Sequence, residues 1–540
     1  MTGTNALTNT EVDQDGGASS VLPEQRRGAP SARHQVLAAR TEAPEVTSPR
    51  LFALTPTLSP AGRGRQASLL FCFLLLTGCA TTVSGTYPGD RVMWDDILAH
   101  AEPFHLPARP VAVVAPHHLI DASELAGFWS ALAVNAPSVV VVIGPDHYAR
   151  GVGLTVGQGV TYDTVYGPLR TDSALAQSLR EPRRDDAFVG EHALHVHAPF
   201  IRRLLPNARF VPLMVQWATP RSDLEALAQR LNELLPADAL VVASVDFSHY
   251  QPSPWATFHD ESSYSTITAF DLDGLFRREV DSPESLYVAM RFAQLRGAQR
   301  ATRLLHTNSQ RRRSVFVPDS TSHQYFTFTA GPARPVPSAS VIITGDVAES
   351  TGLTLHEGWT WNPHHDSGAP TNERLRKIRG QEDRFFMGPE ATLFHLAPGQ
   401  QVRREVNGLK VLFAGVDLSG PLPTLTGDCV VVLASRGSLE AGEAATRAKA
   451  LLQQGAHVVV GRGFGVSVPV EEVEGRALAL SLGPFLTGED GEGQVLGATC
   501  TRDGVRVRTV PVKVTGGVPA LDLDRLAEEL DRPRTFVPEP

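Results

Sequence analysis

The sequence predicts an α/β protein with a mostly parallel sheet, followed by a second, smaller α/β domain. Apolar runs at residues 111–114 and 139–143 alternate with a helical pattern at 122–133. Short apolar runs of this kind are typical of strands that are buried on both faces of a parallel sheet. The length of 540 residues exceeds what one hydrophobic core usually organises, which favours more than one domain.

The predicted elements follow a regular order along the chain. In the first domain we expect strands at 111–114, 139–143, 210–215 and 240–244, and helices at 122–133, 174–180 and 222–235. In the second domain we expect strands at 340–344, 409–415, 429–434, 457–460, 477–482 and 504–514, and a helix at 440–454. A helix at 92–105 precedes the first domain, and the proline-rich segment 332–337 is the predicted linker.

Composition argues against a nucleic-acid partner. The formal net charge is -9, so the chain has no general basic surface for a polyanion. Hydrophobic residues make up 42% and charged residues 20%, which is typical of a soluble globular protein.

One strongly apolar run, residues 67–80, follows Arg63 and Arg65. It is shorter than the roughly 20 apolar residues that span a bilayer, and it suits the apolar core of a signal peptide. The run ends in Leu76-Thr77-Gly78-Cys79, which resembles the bacterial lipobox. This resemblance implies a signal peptide at 63–79, lipidation of Cys79, and a tether with a helix at 80–107.

The predicted location follows from that segment. We expect a bacterial lipoprotein that is anchored to a membrane by its lipid and faces the periplasm or the extracytoplasmic side. An exported setting would permit Cys429 and Cys500 to form a disulfide bond. Residues 1–62 have no apolar periodicity, which predicts disorder and a start codon assigned too early.

Histidines follow three of the predicted strands. His117, His147 and His249 each come a few residues after a buried run. Because ligands bind beyond the carboxyl ends of strands in such sheets, we expect one shared pocket. His117 and His147 are candidate metal ligands, for Fe(II), Zn(II) or Cu. Asp246 is expected to orient His249 as a general base, the alternative being that Asp246 caps a helix.

A histidine-rich segment, residues 191–197, lies between these strands. If the segment is helical, His192 and His195 share one face, and we expect His192 to contribute a ligand. The alternative is a capped helix whose histidines bond to the backbone, and we favour that alternative for His197. The other expected pocket residues are His118, Asp146, Glu191, His195, Ser248 and Asp260, although Asp260 would equally suit an ordinary surface position.

These segments resemble the motifs of Memo-like proteins, known in bacteria as AmmeMemoRadiSam system protein B. Val114-Ala115-Pro116-His117 is similar to P-H-A-G-Y, Gly144-Pro145-Asp146-His147 to G-P-x-H, Glu191-His192-Ala193-Leu194 to E-H-S-x-E, and residues 244–250 to S-S-D-x-S-H-Y. The resemblance covers residues 108–332. It implies the fold of class III extradiol dioxygenases, with His117 and His147 as metal ligands and His249 as the base.

One departure from the family pattern bears on the metal. The resemblance places Arg296 where Memo-like proteins have the cysteine of a C-G-R-x-P segment. A cation there would oppose a divalent metal. We therefore expect Arg296 to approach the pocket, and either His192 or His195 to replace the missing ligand or the metal to be lost.

The second domain, residues 338–516, resembles the later half of capsule-synthesis (CapA-type) metallophosphoesterase-like domains. Gly345-Asp346 is similar to that family's opening segment, but Gly461-Arg462-Gly463-Phe464-Gly465 stands where G-x-H-P-H is expected. A two-metal site needs those histidines, so the domain is predicted to be inactive. Residues 517–540 form the predicted tail.

Two functions are compatible with these observations. The first is a metal-dependent Memo-like enzyme or metal-binding protein. The second is a membrane-anchored binding or scaffold protein that has lost metal ligands in both domains. Its partner would be a small molecule or a protein that the sequence does not identify.

Overall fold

The computed structural model describes residues 81–84, 87, 89–313, 316–343, 346–347, 360–362, 392–394, 398–462, 466–486, 490–516 and 518–531. The predicted disordered segment 1–62, the predicted signal peptide 63–79 with Cys79, residue Gly345 and residues 532–540 lie outside the described residues. The predicted tail 517–540 contains a strand and a helix within residues 518–531.

The first region alternates strands and helices, as the apolar runs predict. Its strands are β1 (Thr81–Val83), β2 (Ala112–Ala115), β3 (Val139–Pro145), β4 (Leu154–Val156), β5 (Val160–Thr164), β6 (Gly167–Arg170), β7 (Arg209–Val215), β8 (Leu240–Ser244), β9 (Arg300–Asn308) and β10 (Ser322–Thr329). Its helices are α1 (Arg91–Ala99), α2 (Ala122–Ala133), α3 (Ser173–Ser178), α4 (His192–His195), α5 (Ala198–Leu204), α6 (Arg221–Leu234), α7 (Ser253–Ala269) and α8 (Pro283–Leu295).

A seven-stranded sheet in the order β4-β7-β3-β8-β2-β10-β9 organises this region. The four inner strands β7, β3, β8 and β2 pair in parallel, and the outer strands pair antiparallel. Every residue of β3 and β8 is buried, because hydrophobic clusters cover both faces of the sheet. The predicted mostly parallel α/β sheet is confirmed.

The first helix is shorter than the sequence predicts. Helix α1 ends at Ala99, whereas the apolar spacing in the sequence predicts a helix that continues to residue 105. Pro103 lacks the backbone N–H that a helix interior requires, which accounts for the early end.

The second region is richer in strands than expected. Its strands are β11 (Ala339–Ile343), β12 (Asp346–Val347), β13 (Thr360–Asn362), β14 (Thr392–Phe394), β15 (Gln401–Val406), β16 (Leu409–Asp417), β17 (Cys429–Ser435), β18 (Val458–Arg462), β19 (Glu471–Val473), β20 (Arg476–Ala479), β21 (Pro484–Leu486), β22 (Gly491–Thr501), β23 (Gly504–Thr515) and β24 (Val518–Leu521). Its helices are α9 (Ala441–Gln453) and α10 (Leu523–Asp531). One sheet, β15-β16-β17-β18-β20-β19, has a parallel centre, and a second, β14-β13-β11-β22-β23-β24, is antiparallel.

A disulfide bond links the two six-stranded sheets of this region. Cys429 in β17 and Cys500 in β22 are both fully buried, and their Cα atoms lie 5.9 Å apart. The pairing that the sequence left open is therefore present in the structure.

Helix α7 lies between the two regions. A Cβ atom at Gly497 of β22 would come within 2.4 Å of the Trp255 ring, so glycine permits this close approach. Arg506 of β23 also lies 3.3 Å from Glu261 of α7. Among the described helices, none is both long and apolar enough to cross a membrane.

Candidate metal centre

His117 lies at the carboxyl end of β2, and its side chain is fully buried. Its backbone N–H donates to Asp246 Oδ1 at 3.1 Å, and its Nδ1 lies 3.4 Å from Ser244 Oγ. Nε2 has no hydrogen-bond partner and lies 3.3 Å from Asp281 Oδ2. Burial lowers the pKa of His117 well below 6.5, so the ring is neutral, which is the form that binds metals.

His147 follows β3 and is held by Glu191. The Glu191 carboxylate accepts the backbone N–H of His147 at 3.0 Å and lies 2.8 Å from its Nδ1. The same carboxylate accepts the Ala193 N–H at the start of α4. Nε2 of His147 then lies 3.9 Å from Asp281 Oδ2. A carboxylate on one ring nitrogen and an open second nitrogen is the usual arrangement of a metal-binding histidine.

His192, the first residue of α4, joins the two strand-end histidines. Its ring stacks on that of His147 with 4.3 Å between centroids, and the rings of His117 and His147 are 5.2 Å apart. Each of the three histidines offers a nitrogen within 4.8 Å of the others. Burial and the neighbouring His147 lower the pKa of His192 to about 4.

The other two histidines of this segment lie elsewhere. His195 packs its ring against Tyr87 and Tyr162, at 5.7 Å from each centroid, so the expectation that it lines the pocket is wrong. The reason is that α4 is a single turn and its far end faces the core. His197 is fully buried between Trp129 and Ser244, which agrees with the structural role favoured for it.

Asp246 orients a different histidine from the one that the sequence suggests. Its Oδ2 lies 2.5 Å from Nδ1 of His118. His249 instead places Nδ1 2.5 Å from the carbonyl oxygen of Phe247. The predicted Asp246–His249 pair is therefore wrong, because the turn after β8 directs these neighbouring side chains to different partners.

The charge of Asp246 is stabilised inside the protein. Burial alone would raise the pKa of this fully buried carboxyl, but the imidazoles of His117, His323 and His118 hold it well below 3.8. Asp246 is therefore ionised at neutral pH.

Three further predicted pocket residues form hydrogen bonds with neighbouring segments. Asp146 accepts the Gly151 N–H at 2.7 Å. Ser248 donates to Glu279 at 3.2 Å. Asp260 is fully buried in α7, where it accepts from Ser322 at 2.8 Å and contacts His306 at 2.7 Å, so it is not a surface acid.

Two pocket residues were not found from the sequence. Asp281 precedes α8 in Asp281-Ser282-Pro283, a pattern that indicates only a helix N-terminus, and Ser282 is indeed the N-cap. His323 is the second residue of β10, so it does not follow an apolar run as His117 and His147 do. Its Nε2 lies 3.8 Å from Asp246 Oδ2.

Asp281 contributes an unpartnered oxygen. Its Oδ1 accepts the Asp246 N–H at 3.2 Å, whereas its buried Oδ2 has no hydrogen-bond partner. Burial and the charge of Asp246 raise the pKa of Asp281 well above 3.8.

Arg296 does not approach the pocket. Its guanidinium donates to Asn232 Oδ1 at 2.7 Å and to the carbonyl oxygens of Asn232, Leu235 and Pro236. These atoms lie at the end of α6, just before β8 begins, and hence at the sheet edge opposite the pocket. The expectation that Arg296 opposes a metal is therefore wrong.

Sequence comparison agrees with the Memo-like motifs. Residues 93–315 match the Memo-like protein family. MEMO1 family proteins of Pyrobaculum aerophilum and Methanothermobacter thermautotrophicus are 34% and 33% identical over 175 residues, which cover 30% of this chain and 62% and 63% of theirs. A MEMO1 family protein of Aquifex aeolicus is 29% identical over 208 residues, which cover 37% of this chain and 77% of that protein.

The matches have a defined extent. The chain spans less than two thirds of the first two relatives, at 62% and 63% of their length. The matched family segment contains His117, His147, His192, Asp246 and Asp281. Residues 93–315 of this chain therefore belong to the Memo-like family.

Proposed function

We propose that this chain is a membrane-anchored lipoprotein whose Memo-like domain binds a divalent metal ion, Fe(II), Zn(II) or Cu(II), through His117, His147 and Asp281. The observation that carries the proposal is the pair of buried, unpartnered atoms His117 Nε2 and Asp281 Oδ2, which lie 3.3 Å apart. Buried polar atoms are normally hydrogen-bonded, and a shared cation would satisfy both.

The donor set suits such an ion. Two imidazoles and one carboxylate are a ligand set that iron and other first-row metals accept. Glu191 holds His147 through Nδ1, and His192 offers a further nitrogen at the same point. A metal bound there would act as a Lewis acid toward a ligand oxygen.

The alternative, a scaffold that has lost its metal ligands, rested partly on Arg296. That argument is removed, because the guanidinium lies at the opposite edge of the sheet. We retain the inactive role for the C-terminal region, in which Ser435 ends β17 and no ligand histidine follows Gly461 in the sequence of that segment.

The metal proposal is tested by the zinc content of the full chain, purified in detergent and dialysed against Zn(II). We expect His117→Gln/His147→Gln to hold one zinc ion per chain fewer than the unaltered protein, because both imidazole ligands are removed. The matched control is His100→Gln, an exposed histidine on the surface beyond α1. Equal zinc content in the double variant and the unaltered chain would contradict the proposal.

Lipid anchoring has a separate test. The lipobox-like Leu76-Thr77-Gly78-Cys79 supports anchoring, and the buried Cys429–Cys500 disulfide supports an oxidising compartment. We expect Cys79→Ser to release the protein from membranes or to leave an uncleaved precursor, because no thiol remains to be acylated. Cell fractionation and intact mass report both outcomes, and an unchanged result in both would overturn the anchor. Cys72→Ser, in the same apolar run, is the control.

A further inference from the structure

The pocket contains a second set of two imidazoles and one carboxylate. We propose that His118, Asp246 and His323 bind a second divalent cation beside the first, an inference that rests on the proposed function. The second set shares no residue with His117, His147 and Asp281.

Asp246 Oδ2 is the centre of this second set. It lies 2.5 Å from His118 Nδ1 and 3.8 Å from His323 Nε2. The rings of His118 and His323 are nearly parallel, with 6.0 Å between centroids, so the two imidazoles lie on one side of the pocket. A cation bound between these two side chains would replace the proton of their hydrogen bond.

His323 is an independent indication of a ligand. Its side chain is 1% exposed, and its Nε2 has no hydrogen-bond partner. Nδ1 lies 2.9 Å from Asp121 Oδ2. Asp121 thus lies behind the ring while Nε2 is directed toward Asp246, the arrangement in which a carboxylate orients a metal-binding imidazole.

The charge of the pocket also favours a second ion. Glu191, Asp246 and Asp281 are at most 10% exposed, and their partners described above are imidazoles and backbone N–H groups. Each divalent ion that binds among these buried carboxylates would offset part of their negative charge, which is costly to bury without a balancing cation.

The two donor sets adjoin each other. His117 Nε2 of the first set lies 3.5 Å from Asp246 Oδ2 of the second. Because one donor atom of each set lies this close to one of the other set, ions bound by the two sets would be neighbours, as in two-metal sites.

The experiment measures zinc stoichiometry in the full chain, in detergent, after dialysis against Zn(II). We expect two zinc ions per chain in the unaltered protein and one in His118→Gln and in His323→Gln. His100→Gln is the control for surface binding and should retain two. If His323→Gln fails to fold, His118→Gln decides, because the His118 side chain is 43% exposed and tolerates replacement.

Electron paramagnetic resonance of the Mn(II)-loaded chain tests whether the two ions are neighbours. We expect a spin-coupled signal in the unaltered protein and an isolated Mn(II) signal in His118→Gln.

Failure of this inference differs from failure of the proposed function. The second site alone is overturned if the unaltered chain binds one zinc ion that is lost in His117→Gln/His147→Gln. In that case His118→Gln and His323→Gln would each retain this ion. No bound zinc in the unaltered chain overturns both.

Discussion

Replacing Cys429 and Cys500 together with alanine is expected to lower the free energy of unfolding of the C-terminal region by about 4 kcal/mol. The two cysteines are separated by 71 residues, so their bond closes a long loop in the unfolded chain. Loss of that constraint raises the conformational entropy of the unfolded state. Urea denaturation followed by circular dichroism measures the change.

Reduced wild-type protein is the matched control, because it keeps both sulfur atoms and lacks only the bond. We expect the reduced protein to unfold at a lower urea concentration than the oxidised protein, close to the alanine pair. An unchanged midpoint on reduction would show that the bond is absent in solution. Thiol alkylation and mass spectrometry then report whether Cys429 and Cys500 are free.

Replacing Asp281 with asparagine is expected to have two opposite effects. Zinc affinity of the first site should fall about 100-fold or more, equivalent to about 2.7 kcal/mol, because a charged ligand is lost. Stability of the metal-free protein should rise, because a buried carboxylate beside Asp246 is replaced by a neutral group of similar shape. If Asp281 had only a structural role, Asp281→Asn would destabilise the protein without a specific loss of zinc affinity.

The gain in stability has a defined pH dependence. The pKa of the Asp281 carboxyl is raised above 3.8 in the folded protein, so the folded state holds the proton more tightly than the unfolded state does. As pH rises, this difference lowers the free energy of unfolding. Below about pH 4 the carboxyl is protonated in both states, so Asp281→Asn should change stability little there. The gain should appear as pH increases toward neutrality.

Thermal unfolding in the presence of a chelator, at pH 4 and at pH 7, measures this dependence. Asp273→Asn is the matched control, because its carboxylate is 76% exposed and should leave zinc binding unchanged. A stabilising effect that is the same at both pH values would contradict the assignment of a raised pKa to Asp281.

Part of the pocket was predictable from the sequence, because His117 and His147 follow buried strands. The apolar runs locate β2 and β3, and the residues after them, His117 and His147, meet at the carboxyl edge of the parallel sheet. This inference needs only local periodicity and the general geometry of α/β sheets. His192, which begins α4, was expected from the histidine-rich segment 191–197 and not from a strand end.

The sequence by itself determined the α/β class, the alternation of strands and helices, and the strand-end histidines, since each depends on hydrophobic spacing along short segments. Only the tertiary structure decided that Asp246 pairs with His118, that Asp281 and His323 enter the pocket, and that Arg296 caps α6 instead. The physical reason is that such pairings join segments distant in sequence. They depend on strand order and on the direction of individual side chains after a turn, neither of which local periodicity encodes.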